Sequence, residues 1–269
     1  MSKTILITGS TDGIGKLAAI RLAQEGHTLL LHGRNSEKLN QTISELRETT
    51  GNDKLQAFIA DFTDLSSVKQ MALSIKQAVD KLDVLINNAG IFQSRIAKTS
   101  KGFDIRFAVN YLAPYLLTRG LLDILGKGSR IINLSSAAQS PVSLGALKGH
   151  GTLSVQGAYA QSKLALTMWT FSLAKNIPSS VVIAVNPGSL LNTKMVQEAY
   201  GQHWSGAEKG ANILFDLAID EAYDGLTGKY FDNDKGAVKG AFGRAHADAY
   251  DEEKITRLIE VTDSLISDL

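Results

Sequence analysis

Tyr159 and Lys163 stand four residues apart at the start of a helical pattern, a spacing that places them on one helix face. A phenol with its ordinary pKa of about 10 is a poor acid–base group near neutrality. An ammonium beside it favours the phenolate and lowers that pKa, so the pair could move protons. Alone, the spacing recurs in many helices and decides nothing. A second chemical feature lies near the other end of the chain. Gly9, Ser10, Thr11, Asp12, Gly13, Ile14 and Gly15 follow a strand-like run and open a helical one. Gly9 suits a tight turn, Gly13 a close approach of backbone to a pyrophosphate, and Gly15 close packing of helix on strand. Free N–H groups and the dipole at such a helix start hold phosphates. Asp12 reads as the N-cap. Strand, glycine loop and helix in this order make the segment a candidate dinucleotide cradle.

The second strand-like run bears on which dinucleotide. An NAD site typically has an acid about 20 residues beyond the glycines, at the ribose 2′-hydroxyl. Here the run ends in Leu31-His32-Gly33-Arg34-Asn35, with no acid. Gly33 leaves room for a 2′-phosphate and Arg34 can pair with it. The expected cofactor is therefore NADP, with NAD second.

The elements that must position these groups are short apolar runs between longer helical patterns. Strands are predicted at 3–8, 27–33, 54–60, 82–87, 129–135 and 180–185, with a seventh near 228–231. Helices are predicted at 13–25, 36–49, 65–80, 101–125, 157–175, 205–219 and 251–267. Regular alternation of strand and helix implies a parallel sheet covered on both faces, a doubly wound Rossmann fold of about seven strands. Val181–Val185 lacks polar alternation, as a strand buried on both sides should. No linker or repeat divides the chain, so residues 1–269 read as one domain. The stretches 137–158 and 232–248 are rich in Gly, Ala and Ser and read as long loops.

Together these residues closely resemble the short-chain dehydrogenase/reductase family, from Thr8 to about Thr193. The glycine spacing looks like the family's classical branch; the extended branch, home to sugar epimerases and dehydratases, spaces its glycines differently. Asn87-Asn88-Ala89-Gly90 resembles a motif that steadies the sheet and approaches the adenosine. Asp61 resembles the residue that binds the adenine amino group, with Phe62 beside it. Asn110 matches the family's catalytic asparagine and Ser136 its catalytic serine. Pro187-Gly188 resembles the motif that receives the nicotinamide. The wording around Asn110 and Tyr159 looks most like retinol-dehydrogenase-like and related bacterial members.

This resemblance implies an oxidoreductase that moves a hydride between a nicotinamide and a carbonyl or alcohol. Tyr159 would be the general acid or base, and Lys163 would hold the ribose and keep Tyr159 acidic. Ser136 would orient the substrate oxygen, and Asn110 would position a water linking Lys163 to solvent. It also implies a homodimer or homotetramer, since members commonly associate through the fourth and fifth helices.

Three departures stand out. Ser136 precedes Tyr159 by 23 residues, more than the shorter members show. The family's threonine after Pro-Gly would fall on Asn192, whereas the threonine here is Thr193; either residue could make the contact. Members that use NADP often carry a basic residue before the second glycine, where this chain has Asp12, and Lys16 is the candidate counter-charge. Specificity in this fold sits in residues 189–206 and 137–158. Met195, Tyr200 and Trp204 are candidates for an apolar pocket there, and equally for ordinary packing.

Composition narrows the rest. Hydrophobic residues make up 44% and charged residues 20%, as in a globular protein with a sizeable core. With 28 Lys and Arg against 27 Asp and Glu, nothing suggests a nucleic acid or an anionic membrane as partner. Zero cysteines exclude disulfides and thiolate chemistry, and the five scattered histidines suggest no metal centre. The N-terminus lacks the pattern of a signal peptide, so a cytoplasmic protein is expected. Two other readings stay open: a dinucleotide sensor without turnover, and a sugar-nucleotide epimerase or dehydratase. Intact Asn110, Ser136, Tyr159 and Lys163 weigh against the first, and the glycine spacing against the second.

Overall fold

Along each central strand, neighbouring side chains enter opposite cores, which is why these runs carry no polar alternation. In the computed structural model β1 spans Thr4–Ile7, β4 Val84–Asn87, β5 Arg130–Leu134 and β6 Val181–Asn186. Leu6, Leu85, Ile131 and Val182 face one core, and Ile5, Ile7, Val84, Ile86, Ile132 and Ile183 the other. The structure describes residues 1–236 and 239–267, and side chains other than those of Ala199 and Tyr200. The sequence-based reading of Tyr200 as a pocket residue therefore lies outside the described side chains.

With β2 (Thr28–Gly33), β3 (Leu55–Ile59), β7 (Lys229–Asp232) and β8 (Ala241–Gly243), the sheet has the order β3-β2-β1-β4-β5-β6-β7-β8. Its pairs are parallel except β7 with β8. The expected doubly wound fold is present, with eight strands where about seven were expected. The eighth lies inside 232–248, read as a loop, because a strand of 3 residues is too short to show a period.

Helices α1 (Gly13–Gln24), α2 (Ser36–Thr50) and α9 (Glu208–Ile219) cover one face. Helices α3 (Leu65–Ala78), α5 (Ala113–Leu121) and α7 (Val155–Asn176) cover the other. The predicted helix 101–125 is in fact three joined pieces: α4 (Ile105–Phe107), a π-helical turn (Ala108–Leu112) and α5. The two segments expected to carry specificity each contain a short helix, α6 (Leu144–Leu147) in 137–158 and α8 (Lys194–Tyr200) in 189–206. Among the described residues no helix is long and apolar enough to cross a membrane.

The last helix, α10 (Glu252–Ser267), packs on the same face as α5 and α7. Tyr111 shares a 2.8 Å hydrogen bond with Thr262, Tyr115 donates to Asp263 at 2.7 Å, and Arg119 pairs with Asp263. Part of the helical face through which association was expected is thus covered by the chain's own C-terminal helix.

Candidate active site

The sheet order reverses between β1 and β4, and ligands of open α/β sheets bind in the crevice that opens at such a point. The turn from β1 into α1 is built by close approach. A β-carbon on Gly15 would stand 2.4 Å from both the Gly9 carbonyl oxygen and Asn88 Nδ2. Gly15 therefore serves the loop and the end of β4 more than it serves helix-on-strand packing. Gly13 has φ +50, a left-handed conformation that glycine tolerates best, and beyond it only Thr193 comes within 4 Å. That open ledge above the first turn of α1, where N–H groups have no partner within the helix, fits a pyrophosphate.

Asn88 ties the ledge to β4, its Nδ2 donating to the carbonyls of Thr8 and Gly9 at 2.8 and 3.0 Å. Thr8 Oγ1 accepts from the N–H groups of Asn88 and Ala89, both at 3.0 Å. Ser10, expected at the phosphates, is buried, and both its hydroxyl and its N–H donate to the His32 carbonyl. Its side chain fastens the loop to β2. Ile14 packs beside the position where α9 passes α1 at Gly210.

His32 was not anticipated as a site residue. Its Nδ1 accepts from the Gly9 N–H at 3.1 Å, and its Nε2 lies 3.0 Å from the Ala60 carbonyl, so the neutral ring bridges β1, β2 and β3. Burial lowers its pKa to about 4. Phe62 stacks on it at 4.3 Å, with Asp61 exposed next door. Only the neighbourhood of Phe62 could have hinted at this, since a histidine in a strand carries no motif.

Arg34 is exposed between the end of β2 and the Asn35 cap of α2. A β-carbon on Gly33 would meet Thr11 Cγ2 at 2.7 Å, so the glycine admits Thr11 as well as leaving room outside. Asp12 caps α1 by accepting from the Gly13 N–H at 2.8 Å, and its other oxygen receives Lys38 at 2.7 Å. Lys38 holds that carboxyl below the usual range. The counter-charge to Asp12 is therefore Lys38, whereas Lys16, the expected one, pairs with Glu45.

At the other end of the crevice α7 carries Tyr159 and Lys163. Lys163 is 4% exposed, donates to the Leu134 carbonyl at 2.6 Å, and has its pKa lowered to about 8 by burial. Its Nζ lies 5.6 Å from the Tyr159 ring centroid, and Phe92 meets that ring edge-on at 5.0 Å. Leu134 ends β5, and Ser136 follows two residues later. Ser136 Oγ accepts from the Ala138 N–H at 3.1 Å. The loop beyond it is fastened to the turn holding Tyr159 by Ser143 N–H donating to Gln161 Oε1 at 3.0 Å.

Asn110 sits in the π-helical turn, 1% exposed. Both its N–H donors are used, on the Ile91 carbonyl and on Ser162 Oγ at 3.0 Å each, and its Oδ1 accepts from the Ile91 N–H at 2.8 Å. Asn110 Oδ1 and Lys163 Nζ flank the bare side of Gly90, 3.4 and 3.5 Å from where a β-carbon would stand. A cradle that a side chain would fill is again left open.

The loop after β6 closes the site. Asn233 Nδ2 donates to the Pro187 carbonyl at 2.8 Å, and Gly188 N–H donates to Asn186 Oδ1 at 3.3 Å. Thr193 caps α8 and places Cγ2 3.5 Å from the β-carbon position of Gly13, while Asn192 is exposed and accepts from Gln197. Of the two candidates it is Thr193 that faces the ledge. Met195 is half-buried and Trp204 is 73% exposed, so neither lines a closed pocket.

The chain resembles known proteins over most of its length. Residues 3–204 match the family described as short chain dehydrogenase. The chain is 32% identical to polyprenol dehydrogenase of Homo sapiens, over 87% of its own length and 77% of that protein's. It is also 32% identical to retinol dehydrogenase 13 of Homo sapiens, over 95% and 81% of the two lengths. A Shigella flexneri protein described as a short chain dehydrogenase, solved with NADP, superposes with a TM-score of 0.69 at 28% identity. That match covers 87% of this chain and 97% of the other.

Proposed function

The chain belongs to the short-chain dehydrogenase family, NAD(P)-dependent oxidoreductases acting on CH–OH and C=O groups, and we propose that this member prefers NADP and uses Tyr159 to move the proton. The nicotinamide would supply or accept the hydride. The first turn of α1 and Gly13 hold the pyrophosphate, Arg34 the 2′-phosphate, and Asp61 and Phe62 border the adenine. Asn88, Ala89 and Gly90 wall the adenosine and ribose, and Pro187, Gly188 and Thr193 close over the far end.

Lys163, with one N–H on Leu134 and others to give, binds the ribose hydroxyls. In carbonyl reduction the Tyr159 hydroxyl gives its proton to the substrate oxygen; in alcohol oxidation it takes that proton back. Ser136 Oγ already accepts from Ala138, which leaves its own hydrogen for the same oxygen. Asn110 acts first as a brace, holding the segment after β4 against α7 through Ile91 and Ser162. The second lone pair of its Oδ1, on the Lys163 side of Gly90, is its remaining means of holding a water.

The observation that carries this reading is the buried Lys163 ammonium beside Tyr159, anchored two residues before Ser136. The experiment is a panel of aldehydes, ketones and alcohols assayed with NADPH or NADP and with NADH or NAD. Retinal and a polyprenal belong in it, because relatives are named for such alcohols. Faster turnover with the phosphorylated cofactor supports the reading, and equal or faster turnover with NADH overturns the preference.

A further inference from the structure

The Ser136 carbonyl oxygen takes two side-chain donors, filling both of its lone pairs. Tyr230 donates its hydroxyl at 3.0 Å and Gln139 its Nε2 at 2.8 Å. Tyr230 stands on β7, 3% exposed, and burial pushes its phenol far above the ordinary range, so it remains a donor at working pH. Gln139 is held in turn, its Oε1 accepting from the His246 N–H at 3.0 Å. His246 caps the short 3-10 turn Ala247–Tyr250, whose Ala249 is fully buried in the core shared with α7. Tyr230 and His246 both lie outside the residues 3–204 that match the family.

Two donors on one carbonyl fix the plane of the Ser136–Ala137 peptide. That plane governs where the next N–H groups point, and the Ala138 N–H is the donor to Ser136 Oγ. Turning the peptide would strand a buried hydroxyl, which is costly. We propose that Tyr230 and Gln139 are positioning residues, through which the C-terminal part of the fold keeps the Ser136 hydroxyl aimed at the substrate oxygen. The inference rests on the role assigned to Ser136 above.

Two measurements on Tyr230→Phe, which removes one oxygen, test it. Amide exchange of Ala138 should quicken by about tenfold while β6 is unchanged, because only the peptide next to Ser136 is released. With NADPH and retinal, or the best carbonyl of the panel, kcat should fall by about tenfold at unchanged NADPH affinity. Placed on Ser136→Ala, the same substitution should lower kcat no further. Gln139→Leu, at a half-buried loop position, should act in the same direction and serves if Tyr230→Phe fails to fold. Unchanged Ala138 exchange, wild-type kcat, or an equal loss in both backgrounds would overturn the proposal. A Ser136→Ala variant with full kcat would instead remove the role of Ser136, a failure distinguishable by the exchange result, which does not depend on it.

Discussion

The two ends of the crevice handle positive charge in opposite ways. At the β2 end Arg34 and Lys38 are exposed, and Lys38 rests on a neighbouring carboxylate, Asp12. At the α7 end Lys163 is buried, faces a backbone carbonyl, and carries no carboxylate partner among the described residues. An exposed cation keeps its charge and can change partners at little cost. A buried one loses solvation, its pKa falls toward neutrality, and it becomes responsive to whatever binds beside it. Recognition of a phosphate needs the first kind, and proton transfer needs the second.

The contrast breaks first at Tyr159. Replacing it with Phe removes one oxygen from the buried end and should leave the exposed end alone. We expect turnover to fall by about 10²–10⁴-fold, the usual worth of a positioned acid–base group, with NADPH binding near wild type. Lys163→Ala should damage both, since the proposed roles give the same ammonium to ribose and phenol. The pH profile of alcohol oxidation should rise with an apparent pKa well below about 10, and that step should vanish in the Phe variant. Wild-type turnover by Tyr159→Phe would refute the mechanism.

His32 sharpens the comparison, because it is a buried titratable group at the otherwise exposed end. Burial holds its folded pKa at about 4, against the 6.5 of a histidine in an unfolded chain. Between those values the unfolded chain binds a proton that the folded chain refuses. The stability it supports is therefore present above pH 6.5 and lost as pH falls toward 4. A shift of this size corresponds to about 3 kcal/mol at the acid limit. Denaturant unfolding measured across that window should show a steeper acid loss for the wild type than for His32→Asn. Identical slopes would mean that His32 does not bridge the strands as a neutral ring.

Arg34→Ala tests the exposed end directly. A charge-assisted hydrogen bond is worth about 1.5–3 kcal/mol, so NADPH should bind roughly ten- to a hundredfold more weakly, with NADH little affected. Fluorescence titration reads both. Equal losses for the two cofactors would take Arg34 away from the 2′-phosphate.

The same division governs what could be read from the sequence. The cradle, Gly33-Arg34 and Tyr159/Lys163 are local patterns, visible within a few residues because one turn or one helix face creates them. The contacts that were missed join distant segments. Asn110 meets Ser162 across 52 positions, and Tyr230 meets Ser136 across 94. No period or motif announces such pairs, because they exist only once the sheet has ordered its strands. Lys38 was missed for the same reason: Asp12 and Lys38 are 26 positions apart, and only the packing of α1 beside α2 brings them together. The strands were legible from apolar runs, whereas β8, inside a glycine-rich segment, had too few residues to declare itself.

The smallest expected effect concerns Asp12, which stands where members that use NADP often carry a basic residue. Asp12 does two things: Oδ1 caps α1 and Oδ2 holds Lys38. Asn caps as well as Asp, so Asp12→Asn keeps the helix start and removes only the charge. The lost ion pair is exposed and worth at most about 1 kcal/mol, so folding should hardly change. Lys38, no longer neutralised, is then free to turn toward a 2′-phosphate. NADPH should therefore bind a few-fold more tightly to the variant, and NADH much less so. Because both groups are exposed, the gain should shrink as ionic strength rises from about 0.01 M to 1 M, where screening falls from about 30 Å to about 3 Å. Weaker NADPH binding would show that Asp12 serves the cofactor through the cap alone and that Lys38 needs its partner to stay in place. A gain that ignored salt would mean that the change acts through the loop rather than through charge, and the exposed end would then resemble the buried one.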